Sequence, residues 1–192
     1  RSRRLALSPD GRRLLSCGTD GTVRLVPLDG GTSTALDGFG GFPWDALFFP
    51  DSSAFVAAGF AREPIVASRD GRVLTRLHGH VDAEVQALVI SADGTRIATG
   101  GIDLTVRTWQ RDGSPIDVLR GLEAGPHVLA FSPDGTLLLA ACRDGSVRIW
   151  DRHGRLTATL RHDDAIDGVG LAPVLDACWS RDGMLIATGS AD

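Results

Sequence analysis

The sequence predicts an all-β chain, and three observations carry the prediction. One turn recurs five times: Ser8-Pro9-Asp10-Gly11, Phe49-Pro50-Asp51-Ser52, Ser91-Ala92-Asp93-Gly94, Ser132-Pro133-Asp134-Gly135 and Ser180-Arg181-Asp182-Gly183. Its Asp residues stand 41, 42, 41 and 48 positions apart. Asp-Gly pairs also punctuate the chain densely, with Asp at 10, 20, 29, 37, 70, 93, 112, 134, 144, 167 and 182. Asp and Gly tolerate the positive φ of tight hairpin turns, so this density reads as hairpin after hairpin. Nowhere does a 3.6-residue apolar period last long enough for a helix.

The fourth unit shows the pattern most clearly. Val128-Leu129-Ala130-Phe131 precedes its turn and Leu137-Leu138-Leu139-Ala140-Ala141 follows it. After Asp144-Gly145 comes the alternating Ser146-Val147-Arg148-Ile149-Trp150, then a turn at His153-Gly154 and a last strand, Arg155–Leu160. Four short antiparallel strands about every 41 residues are the signature of a propeller blade. The repeat divides the chain into units near 1–36, 37–78, 79–119, 120–161 and a partial 162–192. The first enters at Leu5-Ala6-Leu7. The last carries Asp176-Ala177-Cys178-Trp179 and Leu185–Gly189, giving four blades and a partial fifth. Because a seven-bladed ring at this period needs about 290 residues, the expectation is a fragment of a larger propeller.

The third unit carries a family resemblance. Gly79-His80, Ile97-Ala98-Thr99-Gly100-Gly101-Ile102-Asp103 and Thr105-Val106-Arg107-Thr108-Trp109 together resemble one WD-repeat unit from start to finish. The run Arg143-Asp144-Gly145-Ser146-Val147-Arg148-Ile149-Trp150-Asp151 in the fourth unit is similar and includes the Trp-Asp pair. The resemblance implies a WD-repeat β-propeller in which His80, Thr99, Asp103 and Trp109 form a buried hydrogen-bonded tetrad. Elsewhere it implies partial tetrads: Ser16 and Asp20 in the first unit, Asp144 and Trp150 in the fourth, Thr188 and Asp192 in the fifth. Val26 stands where the first unit's Trp would be. Leu122 and Ala140 replace the fourth unit's His and hydroxyl, and Ala57 and Ser68 occupy the second unit's positions.

Two segments interrupt the repeat. An insertion within Asp163–Leu175, where Asp164 is a candidate partner contact, accounts for the 48-residue spacing and lies in a fourth-to-first-strand loop. Insertions in repeat proteins cluster on a binding face. The other is Gly38-Phe39-Gly40-Gly41-Phe42-Pro43-Trp44-Asp45. No helix and no Gly-Lys-Ser/Thr follow its glycines, which argues against a nucleotide loop. Phe39, Phe42 and Trp44 are candidates to anchor a peptide, with packing between blades as the alternative. By the resemblance, Thr19, Ile102, Arg143 and Glu84 face the same surface, where Ile102, Arg143 and Glu84 are further candidate partner contacts.

Composition bounds the functions. With 20 basic and 24 acidic residues the net charge is -4, which offers no counterion-release term for nucleic acid. Apolar runs fall far short of a membrane span. Every basic residue is Arg, and Lys, Asn and Tyr are absent, which reads as a high-GC genome and a bacterial origin. Cys17, Cys142 and Cys178 lack metal-ligand spacing and suit a reducing cytoplasm. No catalytic or metal motif is present, so neither a metal nor a cofactor is expected. The first expectation is a non-catalytic scaffold for a protein or peptide partner. The alternatives are a regulatory or sensor propeller fused to a bacterial kinase or NTPase, and a ligand-binding or metal-dependent propeller enzyme.

Overall fold

A computed structural model describes residues 2–36, 39, 41–60, 63–80, 84–161 and 172–190. Among them are four four-stranded antiparallel sheets and one two-stranded sheet, with no helix. The first blade is β1 (Ser2–Leu7), β2 (Arg13–Gly18), β3 (Val23–Pro27) and the two-residue β4 (Thr34–Ala35). The second is β5 (Pro43–Phe48), β6 (Ala54–Gly59), β7 (Ile65–Ser68) and β8 (Val73–Arg76). The third is β9 (Val85–Ile90), β10 (Arg96–Gly101), β11 (Val106–Gln110) and β12 (Pro115–Leu119). The fourth is β13 (Pro126–Phe131), β14 (Leu137–Cys142), β15 (Ser146–Asp151) and β16 (Leu156–Arg161). A hairpin of β17 (Val174–Trp179) and β18 (Ile186–Ser190) follows. Each sheet pairs its strands in sequence order, a meander.

The turns explain the meander. In every described Asp-Gly pair the glycine has positive φ, for example Gly11 at 70° and Gly135 at 68°. The recurring turn is closed by its own side chains. The Ser132 hydroxyl donates to Asp134 at 2.6 Å, while Asp134 Oδ1 accepts from the Thr136 amide at 3.0 Å. The same pairing holds for Ser8 with Asp10, Ser91 with Asp93 and Ser180 with Asp182. These bonds hold the Asp134 carboxyl at about 2, below its ordinary value, led by the Ser132 hydroxyl.

The apolar core lies between blades rather than inside them. One cluster joins Leu15, Cys17, Val23 and Leu25 of the first blade to Ala46, Phe55, Ala57 and Ile65 of the second. The next joins Phe49, Val56 and Val66 to Leu88, Ile97 and Trp109, and two more continue to β17. The second strands β6, β10 and β14 are buried on both faces, which is why β6 reads as the unbroken apolar run Ala54–Gly59. Polar ties cross the same seams at the Ser-x-Asp-Gly end. Arg111 pairs with Asp51 at 2.8 Å and lies 4.4 Å over the Phe49 ring. Arg96 lies 4.8 Å over the Phe131 ring and donates to the Gly135 carbonyl.

Because the strands alternate in direction, first-to-second-strand turns lie at one end of each blade. Second-to-third-strand and fourth-to-first-strand loops lie at the other, called here the loop face. First strands contact one another in succession, β1 with β5, β5 with β9, β9 with β13 and β13 with β17, and so surround a central cavity.

Candidate functional site

The third blade assembles its tetrad as one relay. The Trp109 indole N–H donates to Thr99 Oγ1 at 2.9 Å, and the Thr99 hydroxyl lies 2.9 Å from His80 Nε2. His80 Nδ1 lies 3.0 Å from Asp103 Oδ2, and the Thr105 hydroxyl adds a 2.8 Å bond to Oδ1. Only one proton arrangement satisfies every group. The carboxylate accepts Nδ1–H, so Nε2 accepts the Thr99 hydroxyl, whose oxygen accepts from the indole. His80 is 3% exposed, and burial holds its pKa below the ordinary value despite the attraction of Asp103. Burial raises the Asp103 carboxyl, but His80 and the Thr105 bonds outweigh it and leave the net shift downward. Gly101 closes the arrangement, because a Cβ there would lie 2.6 Å from His80 Nδ1 and 2.7 Å from Asp103 Oδ1. The hydrogen-bonding atoms of the four side chains are thus committed to one another within the blade, with Thr105 closing the Asp103 end.

The partial tetrads are rebuilt locally. Asp20 accepts from the Thr22 hydroxyl at 2.7 Å and faces Arg24 at 3.6 Å, while Ser16 lies within β2. In the fourth blade Trp150 is buried and Arg148 fills the gap left by the missing His. Arg148 donates to the Ser146 hydroxyl at 3.1 Å, approaches Asp144 at 4.0 Å and pairs with Glu123 at 3.3 Å. Thr188 lies in β18, whereas Asp192 and the insertion residue Asp164 fall outside the described residues.

The aromatic segment divides in two. Phe39 is 3% exposed and packs in the core between the first and second blades. The peptide-anchoring role is therefore corrected for Phe39, whose ring is consumed by apolar burial. Phe42 is 57% exposed, and a third ring that the sequence reading missed, Phe60, is 43% exposed. Phe42 and Phe60 meet edge to face at 6.4 Å, and Trp44 meets Phe60 at 5.2 Å. With Pro43, Gly18 and Thr19 these rings line a recess of about 370 Å³. Gly59 makes the corner possible, because a Cβ there would lie 2.2 Å from the Phe42 carbonyl oxygen and 2.6 Å from the Trp44 nitrogen. A 2.9 Å bond from the Phe60 amide to the Phe42 carbonyl ties the two segments together.

The other predicted contacts sit on the same face. Ile102 and Arg143 are exposed in second-to-third-strand loops. Glu84 precedes β9, and its carbonyl accepts from the Ile102 amide at 3.0 Å.

Between the first strands lies a cavity of about 550 Å³, lined by Arg4, Asp45, Gln86, His127 and Asp176 among others. All five first strands carry a register shift at the same level. Trp44, Gln86, His127 and Leu175 are the extra residues in four of these bulges. A bulge re-aims a side chain, and all four line the cavity. Trp44 also lines the aromatic recess, so the two hollows share this residue. Arg4 Nε lies 3.1 Å from Asp45 Oδ1, yet burial still raises the Asp45 carboxyl above its ordinary value. Among the described residues no group of three His, Cys, Asp or Glu could hold a metal, and no helix is long and apolar enough to cross a membrane.

The family model for the WD domain, G-beta repeat, matches residues 3–26, 71–110, 113–151 and 155–192. No curated protein matches the chain.

Proposed function

The chain belongs to the WD-repeat family, whose repeats generally mediate protein–protein interaction, and from that premise we propose that it is a non-catalytic scaffold binding a protein or peptide partner on its loop face. The observation that carries the reading is the corner of Phe42, Trp44 and Phe60. Soluble proteins seldom leave three touching aromatic rings open to water, and such a cluster rimmed by polar loops marks a binding patch. Aromatic anchors of this kind concentrate interface energy once desolvated. The corner is also built rather than incidental, since it needs the bulge at Trp44 and a glycine at 59.

The partner element that suits the recess is an extended segment placing one apolar side chain between the rings. Selection of displayed random peptides against the chain tests this, followed by affinity measurement on Phe42→Ala and Phe60→Ala. Both rings are well exposed, so neither truncation should unfold the chain. The reading expects at least a tenfold loss of affinity in each variant, about 1.4 kcal/mol or more. Selected peptides that bind both variants as tightly as the parent would overturn it.

A further inference from the structure

We propose that the outer groove between the second and third blades is a docking site for an arginine side chain of a protein partner. The groove lies at the Ser-x-Asp-Gly end, away from the aromatic corner, and so adds a surface that the loop-face reading does not include.

The repeat itself shows what fits such a groove. Arg13, Ala54 and Arg96 share one position, at the start of the second strand of their blades. Arg13 of the first blade reaches across the seam to Asp70 of the second at 3.7 Å. Arg96 of the third blade reaches across to the fourth, over the Phe131 ring and onto the Gly135 carbonyl. Between the second and third blades the position is Ala54, whose side chain ends at Cβ, so this seam has no arm of its own.

The space follows from that difference. Ala54 packs with Val66, and Val66 lines a hollow of about 660 Å³ together with Leu74, Thr95 and Arg111. In the next seam their repeat counterparts Ile116, Thr136 and Arg152, now joined by Arg96, line only about 20 Å³. One feature of the repeat is therefore closed where the arginine is present and open where it is missing.

The acceptor remains in the open seam. Asp112 lines the groove at the position that Asp70 holds in the second blade, where Arg13 pairs with it. Asp112 is exposed and, like Asp93 in the same lining, makes no ion pair among the described residues. The cation of the lining, Arg111, is held by Asp51 at 2.8 Å. Gly94, the counterpart of Gly135, is buried beside Pro50, which leaves the carboxylates to select the ligand. Leu74 is 61% exposed and offers an apolar wall for a methylene stem. An apolar stem ending in a forked cation meets both features, as Arg13 and Arg96 do in their own seams.

The test titrates N-acetyl-arginine amide into the ¹⁵N-labelled 192-residue chain and follows the amide resonances of Thr95 and Asp112. N-acetyl-citrulline amide has nearly the same shape and no charge. The proposal expects saturable shifts with the arginine probe, and binding weaker by about threefold or more both for the citrulline probe and in Asp112→Asn. An asparagine there still accepts the Ser114 amide that Asp112 accepts at 2.9 Å, so the turn is kept. Ala54→Arg supplies the missing arm from within and should abolish the shifts. Equal binding of the two probes, no saturable shift, unchanged affinity in Asp112→Asn, or parental binding by a folded Ala54→Arg chain overturns the proposal. The probe reports on this groove alone, so its failure leaves the peptide selection at the aromatic corner standing, and the reverse.

Discussion

Thr99→Val tests the relay at the centre of the third blade with the least disturbance to packing. Valine fills nearly the same volume, so the change removes one hydroxyl and leaves no cavity. Two atoms then lose their partners: the indole N–H of Trp109 and Nε2 of His80, both 2.9 Å from the hydroxyl oxygen. His80 cannot recover by shifting its proton, because Asp103 requires the hydrogen on Nδ1. Each stranded buried group costs about 1–3 kcal/mol, so the substitution is expected to destabilise the chain by about 3 kcal/mol. The assay is urea unfolding monitored by tryptophan fluorescence, with the midpoint read at unchanged m. A cycle with Trp109→Phe isolates the indole bond, and the double variant should cost about 1–2 kcal/mol less than the sum of the single ones. A Thr99→Val cost under about 0.5 kcal/mol, or strict additivity in the cycle, would refute the relay as a source of stability.

Four further outcomes follow from the same geometry. His80 is held below its ordinary pKa when folded and returns to 6.5 when unfolded, so only the unfolded chain takes up this proton as pH first falls below 6.5. Stability should decline through that window, more steeply in the parent than in His80→Gln, by urea midpoints from pH 7 to 5. Leu104 holds φ 60° beside Asp103, where the first and fourth units have glycine; Leu104→Gly should raise stability by about 1 kcal/mol in thermal unfolding. Arg148→Met leaves Asp144 short of its buried cation and should cost about 2 kcal/mol or more, whereas the more exposed Arg161→Met should cost under about 0.5, compared by urea midpoints. Burial raises the Asp45 carboxyl despite its pair with Arg4, so Asp45→Asn should hold or gain stability at neutral pH in thermal unfolding.

The sequence made the scaffold legible because the scaffold is periodic. A turn repeated at 10, 51, 93, 134 and 182 exposes its Asp and Gly chemistry directly, and the positive φ of Gly11, Gly94, Gly135 and Gly183 is the constraint those residues meet. The tetrad residues were readable for a similar reason: each role tolerates few side chains. Arg148 was not, because it fills the fourth blade's gap from a neighbouring strand position, where arginine alternates with apolar residues as on any exposed strand. Phe39 and Phe42 stand three apart in one glycine-rich segment, yet one ring is core and the other surface. That division depends on where the next blade packs, which no local pattern encodes.

Apart from Trp44, the cavity residues went unread for the opposite reason. Trp44, Gln86, His127 and Leu175 each stand seven residues before the turn Asp of their unit, so their positions are as periodic as the turns. Their chemistry is not, because one is aromatic, one an amide, one an imidazole and one aliphatic. A bulge constrains the backbone and leaves the side chain free, so a propeller can hold this ring of positions fixed while varying what each presents to the cavity. Positions that serve the fold show the reverse. The apolar second strands and the Ser-x-Asp-Gly turns repeat their chemistry because packing and turn closure admit few alternatives. Fixed geometry with varied chemistry marks positions whose side chains the fold leaves free. Along this chain that combination falls at the bulges around the cavity and at the aromatic corner beside them. Gln86→Trp should therefore spare the blade, measurable as an unchanged urea midpoint; a collapse in stability would show that the bulge residue serves the fold after all.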